Sequence, residues 1–289
     1  MMNILKNSLK TIIKAGSGYQ IRRWGKDSAS SVALAKDNIE ILSCDPDSLL
    51  LVNKKENEVI ATEGIYNELQ TLRLKTILDA YKVNLVLDVG ANTGEFAQTL
   101  RRTGYKGKIF SFEPISSVYE VLKEKASQDQ NWDTYNLALG RQNGEQLIHI
   151  SDMTHFSSFL NSNSFCAEEF GKVSIGIKDE TVAVARLDKV LSEAIENIDK
   201  MRIYLKMDTQ GYDLEVFAGV GNLLPYIVAL QSEVSVVPIY ENMPHITDSI
   251  SIFEKSGFIL AGMYPVNTSS STLEIIEFDC MMIKPGSTI

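Results

Sequence analysis

The run Leu85-Val-Leu-Asp-Val-Gly-Ala-Asn-Thr-Gly94 constrains this chain more than any other stretch of it. Its first five residues, apolar except for Asp88, predict a strand buried on both faces, as parallel sheets require. The strand runs straight into a glycine-bearing turn, and Glu95–Arg102 then carries the pattern of a helix. Strand, turn and helix start in that order leave backbone N–H groups pointing at whatever binds there. A second apolar strand, Lys108-Ile-Phe-Ser-Phe112, ends in Glu113 about one βαβ unit later. A carboxylate at that strand tip is placed to grip a ribose diol.

The turn excludes as much as it suggests. A dinucleotide fingerprint beginning at Gly90 needs glycine at positions 92 and 95, where the chain has Asn92 and Glu95. A P-loop needs Gly-Lys-Ser/Thr, which is absent. Asp88 adds a negative charge that repels phosphate and attracts an ammonium or a sulfonium. The turn therefore suits a nucleoside with a cationic tail and no phosphate, of which S-adenosylmethionine (SAM) is the common example.

Composition narrows the function classes. A net charge of −9 and a pI near 5.0 argue against a nucleic-acid partner, because neutralising phosphates needs a basic face. The charge is uneven: residues 1–26 carry +6 with no acid, which leaves −15 for the remainder. No apolar run reaches the roughly 18–20 residues of a membrane-spanning helix. Lysines interrupt the apolar residues of Met1–Ile13, and no small-residue cleavage site comes after them. Cys44, Cys166 and Cys280 are widely spaced and odd in number, so they read as reduced packing thiols of a cytoplasmic protein.

Along the chain, residues 2–14 predict an amphipathic helix with Lys6, Lys10 and Lys14 on one face. Such a helix packs on its own domain, docks a partner, or lies on an anionic membrane; a peripheral membrane contact through residues 1–24 is its functional reading. Ile39–Cys44 and Ser48–Val52 predict a hairpin over Asp45-Pro46-Asp47, and Glu63–Tyr81 a helix whose Ile65, Leu69, Leu72, Leu74 and Ile77 cover one edge of a sheet. From Leu85 strands and helices alternate. Strands are expected near 85–89, 108–112, 133–138, 202–207, 227–234, 257–262 and 277–284, with helices near 94–103, 115–127, 186–197, 212–220 and 245–256. The fold class is therefore α/β: a seven-stranded, mostly parallel, Rossmann-like sheet with an antiparallel pair at its edge. Residues 1–60 form an N-terminal extension, 61–289 the main domain, and the stretch near 145–184 an inserted hairpin with a loop over the strand ends.

Five motifs carry a family resemblance: Asp88-Val-Gly-Ala-Asn-Thr-Gly94, Phe112-Glu-Pro114, Asn136-Leu-Ala-Leu-Gly140, Lys206-Met-Asp-Thr-Gln-Gly211 with Leu214-Glu-Val216, and Leu230-Gln-Ser-Glu233. In this order and spacing, over roughly residues 60–284, the chain resembles the FkbM-type methyltransferases, which are class I SAM-dependent O-methyltransferases. The family usually has an acidic residue where this chain has Gln210. The resemblance implies that Gly90, Ala91, Asn92, Thr93 and Gly94 wrap the methionine part of the cofactor, with Asp88 near its ammonium. It implies that Glu113, beside Pro114, accepts two hydrogen bonds from the ribose, and that Asn136 to Leu139, including Ala138, frame the adenine.

Asp208 and Glu233, past the fourth and fifth strands, are expected near the transferred methyl. Methyl transfer is an in-line displacement in which a base removes the hydroxyl proton as the new bond forms. Asp208 is either that base, or joins Glu233 in holding a divalent cation that acidifies the hydroxyl. The metal-free reading is preferred, because Gln210 removes a third anionic ligand. A third role for Asp208, capping the helix after Gly211, is the purely structural one. His155 lies in the inserted loop, where a lid residue can reach the acceptor. His245 can line the acceptor pocket, and His149 is expected on the solvated face of a strand. The acceptor implied by the resemblance is a small-molecule hydroxyl, on a sugar, glycolipid or other secondary metabolite. N-methyl transfer and a non-catalytic nucleoside-binding scaffold are the alternatives.

Overall fold

The computed structural model describes residues 19–23, 32–36, 39–45, 48–53, 62–171, 176–269 and 271–287. The helix expected over residues 2–14 lies outside the described residues. Contacts divide the chain into two compact units, Met1–Tyr66 and Asn67–Ile289. In the first, β1 (Tyr19–Arg23) pairs antiparallel with β2 (Val32–Lys36), and β3 (Ile39–Asp45) with β4 (Ser48–Asn53), the second pair being the expected hairpin.

The second unit is built on seven strands. They are β5 (Leu85–Val89), β6 (Lys108–Phe112), β7 (Trp132–Tyr135), β11 (Ile203–Met207), β12 (Ile227–Ser235), β13 (Ile259–Thr268) and β14 (Ile275–Ile283), in the spatial order β13-β14-β12-β11-β5-β6-β7. The helices are α1 (Thr62–Ala80), α2 (Glu95–Arg102), α3 (Ser116–Ala126), α4 (Ser164–Phe170), α5 (Leu187–Ala194), α6 (Asp213–Ala218) and α7 (Ile246–Lys255). From β7 to β12 the pairing is parallel; β14 is antiparallel to both β12 and β13 and lies between them. The expected antiparallel pair is thus at the sheet edge, with β13 outermost. Among the described residues no helix is long and apolar enough to cross a membrane.

Two opposite charges in the centre of the sheet are buried in register. Strands β5 and β11 are buried at every position, yet each contains one charged residue, Asp88 and Lys206. The ladder sets these two opposite each other, with Ser111 of β6 and Gln231 of β12 completing the row. Removing one partner of such a pair typically costs about 3–5 kcal/mol, which fixes the strand register as firmly as the aliphatic residues do.

Three expectations need correction. Leu74, Ile77, Leu78 and Tyr81 form the buried stripe of α1, while Leu69 and Leu72 are 48% and 57% exposed. At 100° per residue Leu72 points about 200° away from Leu74, so both cannot face the sheet. The third strand ends at Tyr135; Ala138–Leu139 form a separate short strand, β8. The inserted hairpin, β9 (Gly144–Ser151) with β10 (Gly176–Ala185), pairs β10 against β8, which draws β8 out of the main sheet. The loop between β9 and β10 contains α4, for which its serine- and asparagine-rich sequence gave no signal. Cys166 and Cys280 are both buried in the core.

Candidate active site

From β5 the chain steps outward to β6 and β7, then returns to the other side of β5 at β11. That reversal opens a crevice at the carboxyl ends of β5 and β11, where open α/β sheets take their ligands. A cavity of about 620 Å³ fills it.

The turn after β5 is pinned on both sides. The N–H groups of Gly90 and Ala91 donate to the Phe112 carbonyl of β6 (3.1 and 3.0 Å), and the Asp208 N–H donates to Val89 O (3.0 Å). Gly90 has φ +75°, and a Cβ there would lie 1.9 Å from the Asp208 carbonyl oxygen. Gly94, φ +86°, sits under the Trp132 ring, which a Cβ would approach to 2.8 Å. Both positions therefore require glycine for conformation and for space. Gly90, Ala91, Asn92 and Thr93 line the cavity; Gly94 supports the turn from behind.

Glu113 is 5% exposed. Its Oε2 accepts from Asn92 N–H and its Oε1 from Ile115 N–H, both at 2.9 Å. Two backbone donors orient the carboxylate, yet burial outweighs them and pushes its carboxyl up to about 7. Pro114, Ala138 and Leu139 share the cavity wall with Glu113. Asn136 does not line it: its Nδ2 donates to the carbonyls of Glu113 and Pro114 (3.0 and 2.9 Å), holding that wall in place from outside. Asp88 is also absent from the wall. It is fully buried, accepts from Ser111 Oγ at 3.1 Å, and stands 3.3 Å from Lys206 Nζ.

Lys206 does line the cavity. Its Nζ lies 3.1 Å from Asp208 Oδ2, donates to the Gly90 carbonyl at 3.3 Å, and sits 5.4 Å from the Phe96 ring centroid. Burial works against the ammonium, but the carboxylates of Asp208 and Asp88 outweigh it and hold the lysine above its usual range. Asp208 keeps 39% of its side chain exposed. Asp213 fixes its loop, accepting from Thr209 N–H (2.8 Å), Thr209 Oγ (2.5 Å) and Ser232 Oγ (2.7 Å). No side chain caps α6, whose N-cap is Tyr212, and the Asp208 carboxylate is engaged instead by Lys206 and Gln210. Glu233 stands behind the wall, bonded to Gln210 Nε2 at 2.8 Å; burial, and after it Glu277 and Asp208, raise its carboxyl well above the usual range. Opposite Glu233 on β14, Asp279 faces the cavity and accepts from Gln70 Nε2 of α1 at 2.7 Å. Burial pushes its carboxyl up to about 6.

A family model, the methyltransferase FkbM domain, matches residues 88–260. The chain belongs to the FkbM methyltransferase family. The curated methyltransferase sdnD of Sordaria araneosa is 26% identical over 207 residues, covering 63% of this chain and 75% of that protein. Among solved structures, the magnesium protoporphyrin IX methyltransferase of Synechocystis with bound SAM is similar at 10% identity and a TM-score of 0.41, over 76% of this chain and 80% of its own. An rRNA methylase of Streptococcus thermophilus is similar at 12% identity and a TM-score of 0.40, over 75% and 94%.

As an FkbM methyltransferase the protein is SAM-dependent, and its residues fit that cofactor. A backbone cradle with no room for a Cβ suits the methionine tail, a fixed carboxylate at the second strand suits the ribose, and the acidic wall suits a sulfonium. When bound, SAM supplies the electrophilic methyl.

The three histidines separate. His155 is exposed on the inserted loop and lines the cavity, its ring 4.8 Å from Phe156. His245 accepts from Thr247 N–H and caps α7. His149 is half-buried and paired through Nδ1 with Asp179 Oδ1 at 2.7 Å, so the expectation of a merely solvated ring is corrected. Sequence reasoning gave no role to Lys206, Asp279 or Gln70. The first two carried a signal, an ionisable residue inside an apolar strand; Gln70 carried none.

Glu113 yields a pH prediction. Two ribose hydroxyls can be accepted fully only by the carboxylate, so below about pH 7 binding must release a proton. SAM affinity should rise with pH, at most about tenfold per unit, and level off above about pH 7. Glu113→Gln should flatten that dependence and cost roughly 1–3 kcal/mol of binding at about pH 8, read by isothermal titration. An unchanged affinity would remove Glu113 as the diol acceptor.

Proposed function

We propose that this FkbM methyltransferase transfers the methyl to a hydroxyl of a small molecule, a sugar, glycolipid or other secondary metabolite, with residues 61–289 carrying the chemistry. The observation behind this reading is the Asp208 carboxylate at the cavity wall, held by Lys206 and Gln210 beside the Gly90 turn. In the step, the acceptor oxygen bonds the methyl carbon as the sulfur–carbon bond breaks, and Asp208 takes the hydroxyl proton. Glu233 acts through Gln210, and His155 approaches the acceptor from the inserted loop. After β11 the chain reads Asp208-Thr-Gln-Gly211, unlike the Asp-Pro-Pro-Tyr type of sequence that suits amine acceptors. Incubating the protein with methyl-labelled SAM and parallel panels of glycosides and amines tests the reading. Label in a methyl ether supports it; label in a methylamine alone overturns it.

The basic N-terminus is assigned a membrane contact, suited to a lipid-linked acceptor on the cytoplasmic side. Its support is the lysine spacing at Lys6, Lys10 and Lys14, each charge contributing about 1 kcal/mol near an anionic leaflet. Because Tyr19–Arg23 form β1, the test removes only residues 1–18. Truncation should keep SAM binding and lower co-sedimentation with anionic vesicles, more at low salt than at high. A full-length protein that ignores such vesicles at low salt excludes the contact.

A further inference from the structure

Four hydrogen bonds converge on Gln210. Its Nε2 donates to Glu233 Oε2 at 2.8 Å and to Asp208 Oδ1 at 3.3 Å. Its Oε1 accepts from the Tyr240 hydroxyl at 2.9 Å, and that hydroxyl also lies 3.0 Å from the Phe156 carbonyl of the inserted loop. Its own carbonyl accepts from Ser158 Oγ of the same loop at 2.7 Å. The backbone adopts φ +53°, a left-handed conformation that L side chains rarely take, directly before Gly211 at φ +88°. Strain of this kind persists only where surrounding contacts hold it.

The amide's orientation is set by its neighbours. Turned the other way, Oε1 would set its lone pairs against the Asp208 carboxylate and leave Tyr240 facing the NH₂ group. Two carboxylates from the ends of adjacent strands, brought to one point, repel unless something positive lies between them. That can be a metal ion, a proton or a pair of N–H donors.

We propose that the Gln210 side-chain amide stands where a divalent cation would otherwise bridge Asp208 and Glu233, making Gln210 the positioning residue that orients Asp208 without a metal. The proposal rests on Asp208 being the acceptor of the substrate proton. Its chemistry is a donor count: two amide protons serve two carboxylates, the valence a bridging cation would supply. Among the described residues no group of three or more His, Cys, Asp or Glu is placed to hold a metal, and a carboxylate at position 210 would supply the missing third. Through Tyr240 and Ser158 the same residue ties the inserted loop to the catalytic carboxylate.

Mn²⁺ titration read by electron paramagnetic resonance tests this on the full chain, with no acceptor needed. The wild type should show no saturable site that depends on Asp208. Gln210→Glu should gain one Mn²⁺ per chain, and Asp208→Asn in that background should lose it again. A wild-type Mn²⁺ site abolished by Asp208→Asn overturns the proposal, and so does a folded Gln210→Glu that binds none. If Gln210→Glu fails to fold in a thermal melt, the wild-type titration decides alone. Since Mn²⁺ binding reads no turnover, failure here is separable from failure of the Asp208 assignment, which the activity of Asp208→Asn reports.

Discussion

Replacing Gly90 with valine is expected to abolish SAM binding and to lower the melting temperature. Two independent costs act at that position. The backbone at φ +75° charges an L side chain roughly 1–2 kcal/mol, more for a β-branched one. The added Cβ would also fall 1.9 Å from the Asp208 carbonyl oxygen, well inside contact distance. The obstructing atom is backbone at the end of a fully buried strand, so no side-chain rotation relieves the clash. The β5 turn and the loop after β11 would have to part, separating the Gly90 turn from the Asp208 carboxylate. Titration with SAM and a thermal melt read the two effects. Wild-type affinity in Gly90→Val would mean that the turn does not form the cofactor site.

Asp208→Asn is expected to lower turnover about 10²–10⁴-fold, the usual contribution of a general base, while leaving SAM affinity within a few-fold. Asparagine keeps the size of the side chain and one acceptor oxygen, so one of Lys206 and Gln210 keeps an acceptor while the other faces an NH₂ group. What it loses is the capacity to take the acceptor proton. Full activity of the variant would remove Asp208 from that role. Activity lost on chelation and restored by Mg²⁺ would favour the cation reading instead.

The parts of this molecule legible in the sequence are those fixed by short-range pattern. Strands β5, β6 and β11 are short, largely apolar runs, because parallel strands are covered on both faces. The Gly90 turn is readable because only glycine meets its conformation and its spacing, and Glu113 because it comes one position after a strand. What stayed hidden depends on distant partners. Asp88, read as a contact for the cofactor's ammonium, is matched across the ladder to Lys206, and nothing near residue 88 announces a partner 118 positions later. Asn136 read as part of the adenine wall because the pull of β10 on β8, which ends the third strand early, involves residues almost fifty positions on. Gln70 meets Asp279 across 209 residues, and helix periodicity reports only which face of α1 is apolar.

The placement of β14 between β12 and β13 bears on how the molecule assembles. In synthesis, β12 and β13 emerge before the strand that joins them, and β13 has no strand neighbour until β14 arrives. A nascent chain arrested before Ile275 would present two open strand margins at once, each a template for pairing with another chain. Asp279 arrives with that strand, so one wall of the cavity is missing until then. The strand carrying Asp279 is thus the last of the seven to emerge, well after the stretch Leu85–Leu139 that holds Gly90 and Glu113. Pulse-labelled hydrogen exchange during refolding should find amides of β5 and β6 protected before those of β12 and β14.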